Sequence, residues 1–476
     1  VSVKKIPPVY KPPSEKPRTK KKPNLGRLFL IGLGLTGVSL LSATAGAIIA
    51  VSLSATPLRQ SKLTADEAKV FSQDQTISYK NLQLPELSRP VNVLVLGVKV
   101  LTSDVDDIPQ DNLGYQALVN SFKGLSDTML LLRFDSNTKK LTVLSIPRDT
   151  QATINVGKRT QKINEANYNG GPALAAEAVS ELLAGVPIDR YVRVNVQGVE
   201  KVIDALGGVN VYVPKDMKYQ DDSQHLYINL KKGEQHLDGP KAVGFLRFRH
   251  DRYGDIGRVQ RQQMLMRALV EQSLKPQTLL KMPEILSVIA SHIDTNLSLE
   301  ELLALTGFAS QSKRADVKML MLPGGFSGDG KHEISYWLPN PVQIQHMVAE
   351  HFSYGQDEFT PVESDPTRLR IAIQDSTENP EAVRQMVNLL REAGYGRVFI
   401  SDQWSEPVEN TRILAQSGDD MGASALRATL GIGEILVEST GTLSSDITIV
   451  LGKDWEQHQP SSTIPYKKTS VTTSYP

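Results

Sequence analysis

Cysteine is missing from all 476 residues, so disulfides, thiolate metal sites and cysteine nucleophiles are excluded at once. The eight histidines form no His-Glu-x-x-His pair, and no Gly-x-Ser-x-Gly elbow occurs. That removes the residues zinc peptidases and serine hydrolases need. A surplus of either charge is missing too. Lys and Arg number 53 against 52 Asp and Glu, a balance that suits neither a bulk nucleic-acid binder nor an acidic solvating chain. Aromatic residues reach only 6%, with no basic-aromatic interleaving and no helix-turn-helix pattern. The lack of cysteine also fits an exported protein built without disulfides.

One segment lacks charge altogether. Residues 28–58 hold no Asp, Glu, Lys or Arg, and about 20 apolar residues suffice to span a bilayer core. A cleaved signal peptide and a buried core helix are the other readings of such a run. A signal core is usually about 7–15 residues long, and a core helix would not follow a basic disordered tail. Residues 1–27 form that tail, with nine Lys and Arg against one acid, Glu15. A single N-terminal transmembrane helix is therefore expected, with the tail cytoplasmic and everything after Arg59 outside the plasma membrane.

Residues 59–90 read as a polar stalk with a short helix near 65–71. Residues 91–353 alternate strands and helices, which indicates a layered α/β/α domain with a central mixed sheet. Its strands are expected at 91–97, 128–134, 141–146, 191–196, 209–213 and 317–322. Asp135-Ser-Asn-Thr supplies the turn that makes 128–134 and 141–146 a hairpin. Helices are expected at 171–184, 279–289, 299–308 and 342–352, and Gly207-Gly208 stops a short one. Residues 354–367 form an acidic linker. A β-α-β-α-β order over 368–453 marks a small C-terminal α/β domain, and 454–476 read as a disordered tail.

Against the balanced background, residues 246–263, LRFRHDRYGDIGRVQRQQ, carry five arginines and two aspartates. Arg247 and Arg249 share a face if the segment is extended. Gly254-Asp255 opens a helix with Asp255 at or near its N-cap, and Arg258, Arg261 and Gln262 project to one side. Guanidiniums converging on a helix N-terminus suit a phosphate or pyrophosphate. A solvated helix face with surface ion pairs is the plainer reading.

Further polar groups are spread along the chain. Ser145-Ile-Pro-Arg-Asp-Thr150 places Arg148 and Asp149 at the rim where a strand ends, and Asp127 falls at the opposite end of the partner strand. Lys162-Ile-Asn164 adds a cation and an amide, and residues 233–239 read as a turn leading into the arginines. Singly, each has an ordinary explanation as a cap, an ion pair or a solvated charge.

In order, these blocks resemble the LytR-CpsA-Psr family of cell-wall glycopolymer ligases. The resemblance rests on VLVLGV (93–98), SDTMLLL (126–132), LSIPRDT (144–150), KIN (162–164), DALGGV (204–209), VYVPKDM (211–217), HLDG (236–239), RFRH (247–250) and GDIGRVQRQQ (254–263). It covers roughly 91–352. Residues 368–453 are similar to the C-terminal domain of some members, and NSFKGLSDT looks most like the cyanobacterial branch.

The resemblance implies a membrane-anchored phosphotransferase. The donor is a glycopolymer on a polyprenyl pyrophosphate, the acceptor a peptidoglycan hydroxyl, and lipid monophosphate leaves. It assigns Arg148, Arg247, Arg249 and Arg258 to the pyrophosphate, Gln262 to the phosphate side and Lys162 as a secondary cation. Asp127 becomes a holder of Mg²⁺, with Asp255 in the same cluster. A lipid pocket is expected beside helices such as 172–184.

One departure stands out. Gly97-Val98-Lys99-Val100-Leu101 replaces the family's Gly-x-Asp-x-Arg, so Lys99 stands where a metal-holding carboxylate is expected. Lys99 is expected to place its ammonium in the metal's position beside Asp127, leaving Mg²⁺ weak or absent. A weakly active or non-catalytic lipid-pyrophosphate binder is thus the alternative function. A nucleic-acid-binding regulator is a third, which a salt-sensitive DNA shift would support. Arg252, outside the family pattern, is expected to matter less.

Protease accessibility on intact cells is expected to place 91–476 outside the plasma membrane, and cytoplasmic exposure of any part past Arg59 would overturn this topology.

Overall fold

The computed structural model describes residues 60–458 apart from 73, 79–84, 100–121, 155–158, 223–225, 249–254, positions scattered through 274–291, 313–315, 328–335, 356–367, 405 and 443. The expected anchor lies outside these residues. No helix among them is long and apolar enough to cross a membrane.

The centre is a six-stranded mixed sheet built from β1 (Val91–Lys99), β2 (Leu125–Asp135), β3 (Lys140–Ile146), β4 (Arg190–Asn195), β5 (Ile293–Thr295) and β6 (Val317–Met321), in the order β5-β4-β1-β2-β3-β6. β1 runs parallel to β4, β3 parallel to β6, and the other pairs are antiparallel. β1 can take the middle because it is apolar on both faces, with Leu94 and Leu96 buried on one side and Val91 and Val93 on the other. The β2–β3 turn closes as the sequence indicates, Asp135 Oδ1 accepting from the backbone N–H of Asn137 at 2.9 Å and Thr138 at 3.2 Å.

Helix α1 (Glu165–Leu182) covers one face. It begins earlier than the expected 171, and Gly171, at φ 65°, marks a kink where the expected start lies. Ala173, Ala175, Ala176 and Ala178 are buried, so the helix seats closely on Leu94, Leu131 and Leu144. Helix α2 (Val196–Leu206) is capped by Asn195, whose Oδ1 accepts from Gly198 N at 2.7 Å, and stops at left-handed Gly207.

Two expectations need correction here. The expected strand at 209–213 is present and pairs with Gly233–Leu237 apart from the main sheet, over a second core that includes Ile203, Phe245 and Leu265. Within the expected turn at 233–239, Gly233–Leu237 is therefore a strand, and Asp238 caps helix α3 (Gly239–Arg247) by accepting from Lys241 N at 3.0 Å. The segment holding Leu246 and Arg247 is helical, not extended, because that cap and Pro240 start a helix that Phe248 ends.

Helix α4 (Asp255–Ser273) follows, consistent with a start at Asp255, and α5 (Leu299–Gln311) and α6 (Pro341–Phe352) complete this part. In the expected stalk the short helix is present, at Ala65–Lys69, but the described residues pack against the domain rather than standing free of it. Phe71 is 2% exposed, Ser61 bonds Asp294, and Ile77–Ser78 pairs with Glu86–Leu87 beside α5.

The C-terminal part is a five-stranded mixed sheet of β7 (Arg370–Asp375), β8 (Arg397–Ile400), β9 (Arg412–Ala415), β10 (Glu434–Leu436) and β11 (Ile447–Leu451), ordered β8-β7-β11-β9-β10, with helices α7 (Pro380–Glu392) and α8 (Asp420–Leu430). Two of its strands, β9 and β10, were not expected. The tail expected from 454 begins with a short helix, Asp454–Gln457, because Trp455 is buried and its Nε1 donates to Ala382 O at 3.2 Å.

Glu301 ties the N-terminal residues to this frame. Its carboxylate meets Arg190 Nη2 at 2.7 Å and Nε at 3.0 Å, caps α5 and accepts from Thr76. Burial would raise this carboxyl, but the Arg190 and Thr76 donors outweigh it and hold it below the usual carboxylate range. A depressed carboxyl stabilises the fold above its unfolded value and loses that effect as pH falls through the folded one. Glu301→Gln should cost about 3–5 kcal/mol in urea unfolding, as for breaking a buried pair, and should flatten the loss of stability below about pH 4.

Candidate functional site

The site begins with an irregularity between β1 and β2. Gly97 faces Thr128 while Val98 faces Ser126, so Asp127 is the extra residue of a β-bulge. Gly97 permits this approach, since a Cβ there would lie 3.0 Å from Thr128 Cβ. The bulge takes Asp127 out of the ladder, and its carbonyl accepts from Gln262 Nε2 at 3.1 Å. Its carboxylate accepts from Arg148 Nη1 at 2.7 Å.

Asp127 and Arg148 meet because β2 and β3 are antiparallel, which sets the start of one beside the end of the other. Pro147–Thr150 is a turn, Thr150 N donating to Pro147 O at 3.0 Å, and it directs Arg148 back over the strand ends. Asp149 lies between two cations, 3.4 Å from Arg148 Nε and 2.9 Å from Lys162 Nζ. Lys162 closes the strand Arg159–Lys162, paired with Gln151–Ile154. The result is a half-buried row of alternating charge, Asp127, Arg148, Asp149 and Lys162.

Helices α3 and α4 cover the other side. Arg247, the last residue of α3, borders a cavity walled by Val194, Val199, Val243 and Leu246 and bounded by Asp127 and Gln262. The expectation that Arg258, Arg261 and Gln262 share a side fails for Arg261. It is 3% exposed, its Nη2 donates to Phe248 O, and its guanidinium lies over the Phe248 ring. Adjacent helical residues diverge by about 100°, so Gln262 faces Asp127 while Arg261 faces away. Asp255 and Arg258 sit in the first turns of α4, but their side chains lie outside the described residues, as do Arg249, Arg252 and the Lys99 side chain. Lys99 is placed only by its backbone, which pairs with Leu125.

This apolar cavity lies on the sheet face opposite α1, whose alanines seat close on the strands. A second cavity adjoins Asp127, Arg148 and Gln262 and is also lined by Val437 and Glu438 of the C-terminal part. These two residues carried no signal in the sequence. Glu438 pairs with Arg267 of α4 across a separation of 171 residues, and Ser439 N donates to Gln263 Oε1 at 2.8 Å.

Residues 54–352 match the model of the LytR_cpsA_psr family, well over half of the chain. The chain belongs to the LytR-CpsA-Psr family. Residues 368–455 match a second model, the LytR cell envelope-related transcriptional attenuator. Among similar proteins, the polyisoprenyl-teichoic acid–peptidoglycan teichoic acid transferase TagV of Bacillus subtilis is 32% identical over 248 residues, 50% of this chain and 62% of that protein. The regulatory protein MsrR of Staphylococcus aureus is 34% identical over 201 residues, 42% of this chain and 59% of MsrR. The chain thus spans about three-fifths of the length of these two relatives. The transferase TagU of Oceanobacillus iheyensis is 31% identical over 284 residues, 58% of this chain and 79% of TagU. The crystal structure of B. subtilis TagV aligns with a TM-score of 0.46 at 28% identity, over 57% of this chain and 99% of that one.

Arg148→Ala removes a charge-assisted donor from a half-buried position. Inorganic pyrophosphate binding should weaken about tenfold to a hundredfold, from roughly 1.5–3 kcal/mol per such contact. Arg148→Lys should restore only part of it, because an ammonium lacks the fork. Titration calorimetry checks both, and full rescue by lysine would show that point charge is all the site uses.

Proposed function

We propose that this protein is a membrane-anchored phosphotransferase that moves a glycopolymer from a polyprenyl-pyrophosphate carrier onto a peptidoglycan hydroxyl. The supporting observation is the meeting of Arg148 and Gln262 on the bulged Asp127, at the edge of an apolar cavity that Arg247 also lines. Family membership and the transferase names of TagV and TagU point the same way. The guanidiniums and the amide neutralise and orient the pyrophosphate, while apolar walls accept the start of the lipid. Phosphoryl transfer asks mainly for such positioning and charge stabilisation. The acceptor oxygen forms the new P–O bond, the bridging bond to the lipid phosphate breaks, and lipid monophosphate leaves with the electron pair while the hydroxyl proton is released. In this reading Arg249, Arg258 and Lys162 supply further cations, and Asp255 lies in the same cluster.

The described residues do not make a two-carboxylate cradle for Mg²⁺. The Asp127 carboxylate is held by Arg148, the Asp149 carboxylate by Lys162 and Arg148, and lysine stands at position 99. No catalytic step is therefore assigned to the metal, and weak or absent Mg²⁺ dependence is part of the proposal. The same donor set favours a second reading, a lipid-pyrophosphate binder with little turnover. The two separate on one assay, release of lipid monophosphate from a polyprenyl-pyrophosphate glycan by the full chain in detergent. Lys99→Asp should raise both activity and its Mg²⁺ dependence. Strong wild-type activity that vanishes on chelation would show that Lys99 points away from the metal, and binding without release would establish the second reading.

A further inference from the structure

A larger cavity lies on the far side of α4 from Asp127. About 520 Å³ in volume, it separates the C-terminal part from the hairpins and α4, within the range of sites that hold small organic ligands. Met217, Met264 and Pro214 form one wall. The other carries Trp404, Gln374, Glu406 and the hydroxyls of Ser401, Thr440 and Thr442. Glu438 borders both this cleft and the cavity beside Arg148.

The chemistry of the lining narrows the ligand. The charges of the lining are mixed, Lys215, Arg261, Arg267 and Arg412 beside Asp402, Glu406 and Glu438, and Arg267 is already paired with Glu438, so the cleft selects neither a polyanion nor a polycation. Hydroxyls both donate and accept, and they line one rim in a connected set, Thr442 Oγ1 donating to Ser401 Oγ at 2.8 Å. Two buried polar atoms on cleft-lining side chains have no partner among the described residues, Trp404 Nε1 and Gln374 Oε1. One is a donor and the other an acceptor, the two functions a sugar hydroxyl offers together, and both are covered, so pairing with them requires the two side chains to turn toward a ligand. Burial also pushes the Glu406 carboxyl up, with Arg412 opposing and Glu234 adding to it, which marks this part of the cleft as desolvated.

We propose that the cleft binds a neutral polyhydroxylated chain, a glycan segment, through Trp404, Gln374 and the hydroxyl rim. That this glycan is the acceptor rests on the transfer reading above. On that reading the C-terminal part presents the acceptor beside the helix whose other face carries Gln262.

The test titrates the full chain in detergent with the tetramer of β-1,4-linked N-acetylglucosamine, with hexaglutamate as a polyanionic comparator and inorganic pyrophosphate as a separate ligand. The tetramer should bind saturably and hexaglutamate should not. Trp404→Phe keeps the ring and removes the N–H, and Gln374→Met keeps the size and removes the amide. Each should weaken the tetramer at least fivefold while leaving pyrophosphate affinity and the thermal midpoint unchanged. Failure of the tetramer to bind protein that still binds pyrophosphate would overturn the proposal and leave the transfer reading standing. Tetramer binding unaltered by both variants, or preference for hexaglutamate, would overturn it as well. Tetramer binding lost in both variants, with no pyrophosphate affinity in the wild type, would support the cleft and remove the transfer reading.

Discussion

The bulge at Asp127 is the constraint on which the site depends. A regular β1–β2 ladder would commit the backbone of residue 127 to its neighbour, leaving Gln262 without this acceptor. One extra residue frees the carbonyl for α4 and turns the carboxylate toward Arg148. Gly97 makes room for that irregularity because Thr128 crowds the place a side chain would occupy. Sheet, rim loop and covering helix are thereby referred to one residue.

Around that point the protein keeps charge in balance. Asp127, Arg148, Asp149 and Lys162 alternate in sign along the rim, so neither carboxylate is buried alone. On the proposed reading, an anionic ligand entering here exchanges partners with Arg148 rather than meeting a preformed excess of positive charge, and the site draws specificity from having to displace an internal pair. The C-terminal part adds to this arrangement directly, since Glu438 holds Arg267 and lines the cavity beside Arg148.

Much of the frame was legible along the chain because local chemistry decided it. The apolar run of β1, the Asp135 turn, the glycine stop at 207 and the helices α5 to α8 follow from patterns a few residues long. The short strands β9 and β10 were not legible, being three or four residues each and stabilised by their neighbours in the sheet. Residues 60–90 looked like a stalk because several of their polar groups find partners far along the chain, Ser61 in Asp294 and Thr76 in Glu301. The arginine cluster shows the same limit. Arg261 matched its neighbours in type and spacing, yet the packing of Phe248 drew it inward.

What the sequence determined by itself was the inventory: a family, a mixed α/β class, an arginine-rich segment, and an aspartate, an arginine and a lysine at strand and loop ends. Those are properties of residue type and short-range spacing. Which of them meet was decided only by the tertiary structure. Antiparallel pairing set Asp127 beside Arg148, the register slip aimed it, and the helical phase of α4 separated Gln262 from Arg261. The association of Glu438 with Arg267 likewise joins residues 171 positions apart. Such contacts depend on how whole elements pack, and no run of a few residues encodes them.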